Sequence, residues 1–149
     1  MSGSGKRVIG SGKANKTVPN TTVSFDTMRP VWFFDKLDKS GLFAFDTTRP
    51  DFQHKDFLDK MIAYCNMTWI AIKSQTHDSG KSKHHTLDEQ GFSKEAKERI
   101  RAKGFEQETD RIFSFAFDNK LRVIGLKENE AFHVVWYDSQ HQFYPSNKK

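Results

Sequence analysis

Arg122, His141 and Tyr144 bring a guanidinium, an imidazole and a phenol into the last third of a 149-residue chain. A guanidinium stays charged and can bond two phosphate oxygens at once. An imidazole, with an ordinary pKa of about 6.5, gives or takes a proton near neutral pH. A phenol can stack on a base or hydrogen-bond a phosphate. The set therefore suits the handling of a phosphodiester. Each member also has a structural alternative: an ion pair with Asp118 or Glu130 for Arg122, a surface turn for His141, and packing at the end of a sheet for Tyr144, which Phe143 and Pro145 flank.

The elements that would position these groups are legible nearby. Strand-forming runs at Arg111–Phe117, Leu121–Lys127 and Ala131–Asp138 are separated by Asp118-Asn119-Lys120 and Glu128-Asn129-Glu130. Both connectors are short and polar and contain an Asn, as tight antiparallel hairpins prefer. Upstream, Val31–Phe34 and Leu42–Phe45 read as short aromatic strands, forming a hairpin or one bulged strand. Arg49-Pro50-Asp51 predicts a helix start, and Phe57, Leu58, Met61, Ile62 and Cys65 give it an apolar stripe ending near Asn66. Met67–Ile72 fits either a further helical turn or a strand. Residues 73–91 read as a polar loop. A second helix is predicted from Ser93 to about Lys103, with Ser93 as N-cap, Phe92, Ala96 and Ile100 on one side and Gly104 as the stop. The expectation is an α+β domain over residues 25–149: an antiparallel sheet, made of an N-terminal strand or hairpin plus a three-strand meander, against two helices.

Charge has to be located before it is interpreted. Lys and Arg number 24 against 19 Asp and Glu, an excess of five. Lys6, Arg7, Lys13 and Lys16 account for four of these, in a Gly/Ser/Thr-rich segment, residues 1–24, that has no acid. That segment reads as a disordered basic arm. It does not meet the phosphate-loop pattern, since Ala14 follows Gly12-Lys13 and Arg7 stands where the first Gly belongs. The rest is nearly neutral, so the sequence pI of about 9.3 is not by itself a nucleic-acid footprint, and a local basic face has to be argued residue by residue. Fourteen Phe support a packed core despite 29% charged residues. No apolar run approaches the ~20 residues of a membrane span, and the N-terminus lacks a secretory apolar region. The single Cys65 reads as a structural thiol in a reducing cytoplasm. HExxH, CxxC and HxH spacings do not occur, so no metal or other cofactor is expected.

Order and texture together resemble the RelE/ParE toxin superfamily of small ribonucleases over about residues 92–145. The matching words are Phe113-Ser114-Phe115-Ala116-Phe117, Leu121-Arg122-Val123-Ile124-Gly125, His133-Val134-Val135-Trp136-Tyr137 and His141-Gln142-Phe143-Tyr144. The chain departs from the family in its near-neutral core, in Ala116 where an Arg is common, and in the segments 31–45 and 73–91. The resemblance implies a metal-independent endoribonuclease of the mRNA interferase kind, acting on RNA, on the ribosome in some members, and covered by an antitoxin chain. It aligns His141 with the family's terminal catalytic residue and Arg122 with its phosphate-contacting Arg. In such cleavage the ribose 2′-hydroxyl attacks the adjacent phosphate while a base, a cation and an acid handle proton and charge. His85 is the expected partner of His141 in the acid–base pair, Tyr144 would place the nucleotide, and Lys81, Lys83 and His84 would contact RNA. The competing expectation is a non-catalytic module that binds RNA or a protein on the same scaffold.

Overall fold

The computed structural model describes residues 24–146; the basic arm expected over residues 1–24 lies outside the described residues except for Ser24. The fold is α+β. Strands β1 (Val31–Phe33), β2 (His85–Thr86), β3 (Ile112–Ala116), β4 (Arg122–Glu128) and β5 (Ala131–Asp138) form one sheet in the order β1-β5-β4-β3-β2. The α-helices are α1 (His54–Cys65), α2 (Trp69–Lys73) and α3 (Lys94–Ala102), with short 3-10 turns at Phe25–Thr27, Glu89–Gly91 and Thr109–Arg111. The sheet is mixed, which corrects the antiparallel expectation: β1 runs parallel to β5, and the remaining pairs are antiparallel.

The meander follows from its connectors. Asp118 Oδ1 accepts from the Lys120 and Leu121 amides at 3.0 and 2.7 Å, closing the β3–β4 turn with its own side chain. Between Glu128 and Ala131, Asn129 takes φ 60°, the left-handed conformation that a two-residue hairpin requires. A bulge shifts the β4–β5 register at Ile124/Gly125. There a Cβ on Gly125 would lie 2.0 Å from the His133 carbonyl oxygen, so only glycine fits.

Both faces of the sheet are covered. Against one, α1 and α2 pack Phe57, Tyr64, Trp69 and Ile72 onto Phe113, Phe115, Val123, Phe132 and Val134. Against the other, α3 packs Ala96 and Ile100 onto Ile112, Ile124, Val135 and Trp136. Each fully buried large apolar side chain contributes roughly 1.5–3 kcal/mol, and Trp69, Trp136, Tyr137 and six Phe belong to that class. The α3 start matches its reading: Ser93 Oγ accepts from the Ala96 amide at 3.1 Å, and Gly104 past the end has φ 76°.

Three local expectations are corrected. Leu42–Phe45 is not a strand but an irregular loop, because buried Asp38 organises it. Asp38 takes a two-pronged contact from Arg99 (2.9 Å each) and the Trp136 indole N–H at 2.8 Å. The Tyr137 amide donates to the Phe43 carbonyl, and the Phe45 amide donates to that of Asp38. Helix α1 begins at His54 rather than near Asp51, and its inner face is Phe57 and Tyr64; Leu58 and Ile62 are exposed. Residues 73–91 are not merely a loop: they supply β2 and a small hairpin with a Thr76–Ser82 bridge. Met67–Ile72 resolves as helix α2, capped by Thr68.

Candidate functional site

Register decides which side chains share a face. His85 stands opposite Ser114, Ser114 opposite Ile124, and Ile124 opposite Trp136. One row along, Ala116, Arg122 and Asp138 are opposite one another. Directly opposed residues point the same way and a two-residue step keeps the face. His85, Arg122 and Asp138 therefore lie on the α3 face, in adjacent rows at one end of the sheet.

The segment after β5 folds back over this face because Asp138 holds it. Asp138 is 1% exposed, and its carboxylate accepts from the Gln142 and Phe143 amides at 2.9 and 2.7 Å. Burial nevertheless pushes its carboxyl up from the ordinary value, against the downward pull of those amides and of Arg122. His141 sits at the bend with φ 58°, half-buried. A non-glycine residue in that conformation is locally strained, and such strain concentrates at functional positions. Phe143 anchors the segment in the core beside Trp136 (ring centroids 4.7 Å apart), and its carbonyl accepts from the Ser93 amide.

Tyr144 then reaches β2. Its ring lies edge-on to His85 at 6.0 Å and to Phe92 at 5.9 Å, and its hydroxyl oxygen accepts from the Asp88 amide at 3.2 Å. Gly91 makes the seat: a Cβ there would come within 2.4 Å of the Tyr144 ring. Gly91→Ala is expected to cost about 1–2 kcal/mol through overpacking, and to displace the ring. Urea denaturation and the loss of the His85–Tyr144 nuclear Overhauser contact check this.

His85 Nδ1 lies 3.1 Å from the Thr86 carbonyl oxygen. A carbonyl only accepts, so that bond puts the proton on Nδ1 and leaves Nε2 as the basic nitrogen of the neutral ring. In this tautomer Nε2 is the nitrogen able to act as a general base.

Two expected ligand-contacting residues are placed otherwise. Arg122 is 7% exposed, and its Nη1 donates to the carbonyls of Asp118, Asn119 and Leu121 at 3.0, 3.3 and 3.2 Å. It staples the β3–β4 turn. It makes no ion pair with Asp118 or Glu130 among the described residues; the charges of Asp138 and Asp118 favour its charged form against its burial. His84 is 1% exposed and turned to the α1 face, where it meets Tyr64 and Phe115. Burial first, then the charges of Lys83 and Arg122, push its imidazole down to about 3. In this arrangement His84 offers nothing to RNA. Lys81 is exposed and Lys83 half-exposed on the 75–83 hairpin.

The sequence reading missed two features. Asp138 organises the segment carrying His141 and Tyr144, and its signal was present: an acid closing a strand before Ser139-Gln140, as in turns capped by a carboxylate. The second is a cleft of about 340 Å³ on the opposite side of the β3 end, among α1, the 75–83 hairpin and the β3–β4 turn. It joins segments distant in sequence, so no local pattern marks it. Among the described residues no group of three or more His, Cys, Asp or Glu is arranged to hold a metal ion, and no helix is long and apolar enough to cross a membrane. Comparison with protein-family models, curated proteins and solved structures yields no match, so the functional reading rests on this geometry and on the resemblance already described.

Proposed function

We propose that the protein acts on RNA as a metal-independent endoribonuclease of RelE-like type, working at the end of the α3 face. The observation that supports this reading best is the His85–Tyr144 contact. It sets a basic imidazole nitrogen beside an aromatic ring on the sheet face that also bears Arg122. His85 Nε2 takes the proton of the ribose 2′-hydroxyl, and the freed oxygen attacks phosphorus. Tyr144 stacks on or bonds the nucleotide. His141, in its protonated form, gives the leaving 5′-oxygen its proton. The products are a 2′,3′-cyclic phosphate and a 5′-hydroxyl, with the proton count balanced. Arg122 contributes as a fixed positive charge beneath the site, since its Nη1 is already engaged by the turn. On the same reading an antitoxin chain covers this face, and the protein works in the cytoplasm.

The test is incubation of the purified protein with RNA in excess chelator, with product ends read by mass spectrometry. Cyclic phosphate ends are expected, with His85→Ala and His141→Ala each slowing cleavage about 10²–10⁴-fold. Intact RNA after long incubation sinks the enzyme. The burial of Arg122 favours a second reading, a non-catalytic module binding RNA or a protein, and intact RNA with a retarded gel band would support it.

A further inference from the structure

The cleft on the far side of β3 has an unusual balance of donors and acceptors. Its walls include Lys60 and Tyr64 from α1, His77 and Lys83 from the 75–83 hairpin, and Asp118 and Asn119 from the turn. The turn would ordinarily present acceptors, but most are spent. Arg122 Nη1 takes the Asp118 and Asn119 carbonyls from behind. Asp118 Oδ1 is occupied by the Lys120 and Leu121 amides. The Tyr64 hydroxyl donates to the Ala116 carbonyl at 2.7 Å, removing a third acceptor from the same edge.

The cleft is lined by two cations, Lys60 and Lys83, and the imidazole of His77, together with the carboxylates of Asp78, which is exposed, and Asp118, whose Oδ1 is engaged by the turn amides. The hairpin holds His77 and Lys83 in place: the His77 amide donates to the Lys81 carbonyl at 2.8 Å, and the Lys83 amide to that of Gln75 at 3.0 Å. Burial first, and then the charges of Arg122 and Lys83, push His77 below its ordinary value.

We propose that this cleft is a binding site for a phosphoryl anion carried on a nucleotide-sized body, with Lys60 and Lys83 as its charged contacts and His77 as a hydrogen-bond donor. Its volume, about 340 Å³, falls at the lower end of the range of small-ligand sites. Two sources share this chemistry: a free nucleotide, and one nucleotide of an RNA strand crossing the end of the sheet. The inference does not rest on cleavage by His85 and His141, which lie on the other side.

The experiment is titration of the ¹⁵N-labelled full chain with inorganic phosphate, with AMP and with a short single-stranded RNA. Saturable amide shifts are expected at His77, Lys83 and Asn119. Lys60→Gln combined with Lys83→Gln should weaken AMP affinity on the order of tenfold, while Lys94→Gln on α3 should not. AMP shifts without RNA shifts at these residues identify a free nucleotide as occupant; RNA shifts at the same residues identify the strand. No saturable shift with any probe overturns the proposal, as do shifts that persist in a double variant whose spectrum is otherwise intact. Phosphate and AMP contain no internucleotide bond, so failure here leaves the nuclease reading standing. Failure of the nuclease likewise leaves this site standing.

Discussion

Acidification from pH 6.5 towards pH 3 is expected to destabilise the protein by up to about 4–5 kcal/mol through His84 alone. The ring is neutral and locked between two partners. The Ala116 amide donates to Nδ1 at 3.1 Å, so Nδ1 carries no proton, and Nε2 donates to Gln75 Oε1 at 2.8 Å. A second proton has no room on Nδ1, which already faces an N–H. The sign follows from the shift, 6.5 down to about 3. Above pH 6.5 neither state takes up the proton and stability is flat. Below it the unfolded chain binds a proton that the native imidazole refuses, so stability falls until pH about 3. His77 adds a smaller contribution of the same sign, since its value is also lowered. Several Asp, lowered by their partners, lose stability only at more acidic pH.

His84→Gln isolates the effect. Glutamine can accept from Ala116 and donate to Gln75, but it loses the ring contacts with Tyr64 and Phe115 at 4.9 and 5.5 Å. The variant should be about 1–3 kcal/mol less stable than wild type at pH 7.5, and that gap should close as the pH falls. The measurement is the urea midpoint between pH 7.5 and 4. Parallel slopes for the two proteins would remove His84 as the sensor.

The same residue marks the limit of what a linear sequence exposes. The 73–91 segment is polar apart from Leu87, and one apolar residue does not fix an alternation that would distinguish His84, facing inward, from His85, facing Tyr144. Only pairing with β3 sets the alternation. The meander was legible because each of its strands is paired to a neighbour across a turn whose own residues close it. The β1–β5 pairing was not, since it joins distant segments in parallel and leaves no turn to read. Leu42–Phe45 has the composition of a strand, yet the buried Asp38–Arg99 contact dictates its path, and an ion pair across that separation has no local signature. On α1, Leu58 and Ile62 looked like core because the apolar stripe is wider than the face the sheet can cover. The candidate site shows the same division. Residue types suited to phosphodiester chemistry could be picked out, but the burial of Arg122 depends on the β3–β4 turn wrapping its carbonyls around the guanidinium.

That burial makes Arg122→Met an expected loss of roughly 3–5 kcal/mol, the range for removing one partner from a buried charged cluster. Two things are lost together. The carbonyls of Asp118, Asn119 and Leu121 lose a donor they share, and the buried Asp138, held down mainly by the Gln142, Phe143 and Gln140 amides, loses the further downward pull of the Arg122 charge. The pH dependence separates the two. The folded carboxyl of Asp138 is raised above 3.8, so its contribution is fully present below that pH and is lost as pH rises through the folded value. Without Arg122 the folded value rises further. The destabilisation should therefore be larger at pH 7 than at pH 4, leaving at the lower pH mainly the cost of the orphaned carbonyls. Arg122→Met combined with Asp138→Asn should cost less than the sum of the single changes, the mark of coupled neighbours. Arg122→Lys, which keeps a charge but lacks the planar fork, should fall between wild type and Met. A variant Arg122→Met as stable as wild type across this range would show that the turn and Asp138 stand without the guanidinium. Otherwise, a loss of RNA cleavage in Arg122→Met reports unfolding as readily as chemistry, and the informative variant is Arg122→Lys assayed where it remains folded.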